Sequence, residues 1–171
     1  MATDIGESIV GSYLRYIVGC EVVVYNTQTP NVQGELDVIG IKTAAPRNVW
    51  LCEVITHMQG VLYGGGYIDT VKKIRQKVER ARDFAVATFP GDNHRYEVWS
   101  PIVPSGAVTM FNDLADEFSS AALDVAFVVN AQYTGRVQAL AEHARANPKA
   151  TNEPAYRMLQ ILTRLRGELR V

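Results

Sequence analysis

Two β-prone segments lie about one hairpin apart in this chain, and both carry carboxylates in apolar surroundings. They are Gly34-Glu35-Leu36-Asp37-Val38-Ile39-Gly40-Ile41 and Val49-Trp50-Leu51-Cys52-Glu53-Val54-Ile55-Thr56-His57. The link Ala44-Ala45-Pro46-Arg47-Asn48 is short and contains a proline, so the two strands are expected to be antiparallel neighbours. Strand alternation then puts Glu35, Asp37, Ile39 and Ile41 on one face, and Glu53, Ile55 and His57 on one face of the next strand. A carboxylate inside an apolar strand is costly to desolvate unless a cation accompanies it. Two on adjacent strands, Asp37 and Glu53, point to a shared divalent metal.

The rest of the chain supplies the setting. Ile5, Ile9, Tyr13, Tyr16 and Ile17 recur at helical spacing, with Thr3 or Asp4 able to cap, which predicts a helix over 4–18 ended by Gly19. Glu21 to Tyr25 is rich in β-branched residues and predicts a strand. After the glycines of 60–66, apolar positions Val71, Ile74, Val78, Ala81, Phe84 and Ala85 predict a long helix over 68–89. Its outer face is expected to carry Lys72, Lys73, Arg75, Lys77, Arg80 and Arg82. A strand over 97–103, near an edge because of Pro101, a helix over 112–121, a strand over 126–129 and helices over 133–146 and 154–169 complete the expectation. An N-terminal helix, a mainly antiparallel strand group and then alternating helices and strands make an α/β fold, a central mixed sheet flanked by helices in three layers. With 171 residues, 47% of them hydrophobic, the chain can bury this core as one domain spanning 1–171.

Composition excludes some functions. A net charge of -1 rules out a bulk polycation, so any nucleic-acid contact has to be local. Cys20 and Cys52 sit among apolar residues without zinc-type spacing and read as buried thiols of a reducing compartment. Asp4 and Glu7 stand where a signal peptide would carry positive charge, and no apolar run approaches the roughly 18 residues of a membrane span. A cytoplasmic protein with no membrane partner is the expectation. Gly64-Gly65-Gly66 lacks the Gly-Lys-Ser or Gly-Lys-Thr of a phosphate loop, and is read as a loop over the site. Tyr63 and Tyr67 beside it could stack on bases or simply pack.

A helix bearing a glutamate, a strand, then Gly-Glu-Leu-Asp-Val-Ile-Gly and a strand with Glu-Val-x-Thr resembles the PD-(D/E)xK, restriction-endonuclease-like, nuclease superfamily, most of all its resolvase and repair branch. The resemblance covers residues 4 to 85. It implies a magnesium- or manganese-dependent endonuclease that hydrolyses phosphodiester bonds in DNA. By position, Asp37 would be the central metal ligand, Glu53 the second, Glu7 the helix carboxylate, and Val54 a backbone-carbonyl ligand. Magnesium suits such a set because it keeps several waters and takes one or two protein carboxylates. The resemblance is also compatible with a homodimer, since related enzymes often cut two strands.

The chain departs from the pattern at Ile55, where the superfamily has its lysine. Isoleucine cannot position water or offset phosphate charge. The substitutes are His57, Lys42, and Lys72 or Lys73 at the start of the long helix. The competing reading is a catalytically degenerate nuclease-fold protein that serves as a nucleic-acid-binding or protein-interaction module. A third is an unrelated α/β domain in which Asp37 and Glu53 do not meet. Bland roles also exist for single residues: Asp37 paired with Lys42 or Arg47, Glu7 complementing a helix dipole, and the basic helix as a solvated face.

Overall fold

The computed structural model describes residues 3–30, 34–120 and 123–165. A five-stranded mixed sheet runs in the order β1 (Val22–Gln28), β2 (Glu35–Lys42), β3 (Asn48–Val54), β4 (Asn93–Ser100), β5 (Leu123–Val129). β1, β2 and β3 form an antiparallel meander, whereas β3, β4 and β5 are parallel. The parallel pairs require crossovers, supplied by α2 (Tyr67–Thr88) and α3 (Ser105–Phe118). Helix α1 (Ile5–Tyr13), which continues as a π-helical turn Leu14–Val18, α4 (Ala131–Ala146) and α5 (Pro154–Leu162) form the layer on the other face. The architecture is three-layer α/β/α.

Each face of the sheet buries its own core. On one, Val49, Leu51, Tyr96, Val98, Val125 and Phe127 meet Ile74, Val78 and Ala81 of α2 and Phe111 and Leu114 of α3. On the other, Val38, Cys52, Trp99 and Val128 meet Val10, Leu14 and Tyr133. Both cysteines are buried and unpaired. The second face also contains Glu97, which is 1% exposed. Its carboxylate accepts from Trp99 Nε1 (2.8 Å), Arg95 Nε (2.7 Å) and Arg136 Nη1 (2.8 Å). The Arg136 guanidinium in turn lies over the Trp99 and Tyr13 rings.

The expected elements are present with shifted ends. β4 begins at Asn93 and ends before Pro101, so it is an interior strand and not the edge strand its proline suggested. α3 starts at Ser105, seven residues ahead of the expected 112, and β5 starts at Leu123. α5 stops at Leu162; positions 166–169 of the expected helix lie outside the described residues. Among the described residues no helix is long and apolar enough to cross a membrane.

Candidate functional site

β2 and β3 present Asp37 and Glu53 to the face covered by α2, near the end where β3 finishes. The paired ladder of β2 and β3 stops at Val38 and Cys52. Beyond it, Asp37 Oδ2 takes the N–H of Val54 at 2.6 Å, so a side chain replaces the missing backbone acceptor. Glu53 is 4% exposed. It forms an ion pair with Lys77 of α2, and Arg80 Nη2 lies 3.8 Å from its Oε2. The same Arg80 group donates to the Glu35 carbonyl at 2.9 Å. Gly34 has φ +155, a conformation that L side chains rarely adopt, and a Cβ there would meet that guanidinium.

The electrostatics couple these groups. Burial pushes the Asp37 carboxyl up from its ordinary 3.8 to about 7, and the Glu53 charge pushes the same way. The Val54 N–H and Lys77 oppose the rise, while Glu7 adds to it. The Tyr63 hydroxyl is raised by burial and also feels Lys77, Glu53 and Asp37. Glu53 Oε2, Arg80 Nε and Tyr96 Oη are all buried without a hydrogen-bond partner. Tyr96 lies in the field of Glu53, Arg80 and Asp37, so these unmatched atoms belong to one neighbourhood. Each such atom costs about 1–3 kcal/mol, a concentration of unmet demand that structural ion pairs avoid.

The sequence-derived candidates separate into groups. Asp37 and Glu53 lie on adjacent strands, with Asp37 in the field of Glu53. Glu7 is within their field but already has work at the start of α1. It receives the Asp4 N–H (3.1 Å) in a capping box and Asn26 Nδ2 (3.2 Å). Val54 approaches Asp37 through its N–H; a ligand role for its carbonyl remains an implication of the resemblance. Lys72 and Lys73 are exposed, and Lys77, one turn further along α2, pairs with Glu53 in their place. His57 lies past the end of β3, exposed, on the wall of an open depression of about 550 Å³. Asp37 pairs with neither Lys42, which lies over the Trp50 ring, nor Arg47, which binds Asp92.

Lys77, Arg80 and Tyr96 were not singled out by the sequence reading. A signal for Lys77 existed: it stands three residues after Ile74 and four before Ala81, inside the buried stripe of α2 and not on its outer face.

Asp37 and Glu53 offer hard oxygen donors, one of them an orphaned buried oxygen, which fits magnesium or manganese. Among the described residues no group of three or more His, Cys, Asp or Glu side chains is assembled around a common point, so the pair would have to be completed by water or substrate oxygens. No protein-family model matches the chain, and comparison with curated proteins and with solved structures gives no match.

Proposed function

We propose that the protein is a metal-dependent nuclease acting on phosphodiester bonds in DNA. The observation that carries this reading is the coupled carboxylate pair Asp37 and Glu53, with Lys77 brought against it from α2. The proton affinity of Asp37 is raised first by burial and next by the Glu53 charge, and a cation shared by the two carboxylates would relieve both. Asp37 and Glu53 are the residues that would hold magnesium or manganese, with water or substrate oxygens completing the shell. The bound ion would supply an activated water and polarise the phosphoryl group. Lys77, paired with Glu53, would supply the positive charge that Ile55 cannot, offsetting phosphate charge and orienting the attacking water. Arg80 keeps Glu53 and the Glu35 backbone in register through one guanidinium.

One observation favours the degenerate alternative: Lys77 already neutralises Glu53, which would suit a scaffold that has given up its metal. The two readings separate on a panel of single-stranded, duplex and branched DNA and RNA, incubated with magnesium, manganese or a chelator, beside the Asp37→Ala protein. Metal-dependent cleavage that disappears in the variant is the expected result. Absence of cleavage by either protein across the panel would leave the binding-module reading.

A further inference from the structure

The segment between β3 and α2 is a built feature. Gly60 adopts φ +92, a left-handed conformation that favours glycine, and its N–H closes a turn on the His57 carbonyl at 3.0 Å. Val61 is fully buried, and its N–H binds the Ile102 carbonyl at 3.1 Å. The Tyr63 N–H binds Thr70 Oγ1 at 2.8 Å, tying the segment to the first turn of α2. Between these anchors Met58 and Leu62 are held outward, 71% and 56% exposed. With His57, Gln59, Gly60 and Tyr63 they line the depression of about 550 Å³, a size within the roughly 300–1,000 Å³ of ligand sites. Apolar side chains pinned into solvent beside a charged site are unlike the scattered exposed apolar residues of an ordinary surface.

We propose that this depression receives an unpaired nucleobase next to a phosphate bound through the metal that Asp37 and Glu53 would hold, so that the protein prefers DNA that is single-stranded or locally unpaired. The inference rests on the nuclease reading. Continuity supports it: Tyr63 lines the depression and its N–H is tied to Thr70 of α2, the helix whose Lys77 pairs with Glu53. Charge complementarity also supports it. Lys72 and Lys73 stand exposed within one turn of the Thr70 tether, while the Asp69 carboxylate of that first turn is taken up by the Gly65 N–H at 3.0 Å. A flanking phosphate fits there. A base between Met58, Leu62 and Tyr63 would gain stacking and apolar contact without sequence readout. Tyr67 does not share this role, because its ring packs on Gly106.

The test uses the full-length protein, with calcium in place of magnesium to hold back cleavage, and oligonucleotides containing 2-aminopurine as single strand, gapped duplex and blunt duplex. The expected result is quenching of 2-aminopurine on binding, with single-stranded and gapped forms bound about tenfold more tightly than blunt duplex. Met58→Ser, Leu62→Ser and Tyr63→Leu should each weaken the single-stranded complex several-fold and leave blunt-duplex binding unchanged. Melting curves of the variants verify that they are folded. Equal affinity for all three DNAs with unquenched emission, or loop variants that bind as the parent does, would overturn the proposal. If magnesium-dependent cleavage still disappears in Asp37→Ala, that failure belongs to the base site and the nuclease reading stands. Selective, quenched single-strand binding without any cleavage would uphold the base site and remove the nuclease. Binding to none of the DNAs would overturn both.

Discussion

Two buried glutamates occupy neighbouring strands of this sheet and face opposite ways. Glu97 of β4 is 1% exposed and Glu53 of β3 is 4% exposed. Burial alone does not distinguish them; the supply of partners does. Glu97 takes hydrogen bonds from Trp99, Arg95 and Arg136, and both of its oxygens are engaged. Glu53 has Lys77 on one oxygen, no hydrogen bond on the other, where Arg80 Nη2 stands 3.8 Å away, and a second carboxylate in its field. A saturated buried charge holds elements together, here β4 to α4 through Arg136, and has nothing left to offer a ligand. An under-supplied one beside a like charge stores a demand that a cation can meet.

The sharpest way to break this contrast is at Glu97. Glu97→Ala strands Arg136 between Tyr13 and Trp99 and should lower stability by about 3 kcal/mol in urea unfolding. A loss under about 1 kcal/mol would show that the network is not the structural member of the pair. Lys77→Met should lower metal-dependent cleavage about 100-fold. In contrast, Lys72→Met with Lys73→Met should leave turnover at saturating DNA within about threefold and mainly reduce the salt dependence of binding. Equal effects on turnover would mean that the Glu53 ion pair does not mark the working lysine.

Asp37 supplies a test by pH. Its folded-state value near 7 lies above the ordinary 3.8, so the folded protein binds this proton more tightly than the unfolded chain does. Stability from this group is therefore highest below about pH 4 and falls as pH rises to about 7, beyond which the full penalty is present. Asp37→Asn should remove a decline on the order of 2 kcal/mol, a figure reduced for the group's partial exposure. Magnesium should raise the parent's Tm more at pH 8 than at pH 6, because at the lower pH it has to displace the Asp37 proton. A Tm response independent of pH would separate Asp37 from any metal. The smallest expected effect is at Tyr96: its buried hydroxyl has no partner, so Tyr96→Phe removes an unmet desolvation cost and should raise stability by about 1 kcal/mol. A loss of stability instead would reveal a hidden partner and make the Glu53 neighbourhood as saturated as that of Glu97.

Local sequence was enough for the strand pair. The alternation in Glu35–Lys42 and the short link to β3 placed Asp37 and Glu53 on one face, because strand period and hairpin geometry are properties of a few consecutive residues. The five strands and their helices were legible for the same reason, within several residues at their ends. Lys77 was read as solvent-facing because charge outweighed its place in the α2 spacing. Glu97 passed unnoticed within an ordinary strand, since its partner Arg136 lies 39 residues further along the chain.

The sequence by itself determined the elements, the meander at the front of the chain and the shared face of the two carboxylates. Only the tertiary structure decided which cations reach them, and hence which buried glutamate is satisfied and which is not. Periodicity is set by neighbours in the chain, whereas the partner of a buried charge is set by which helix the fold lays across it.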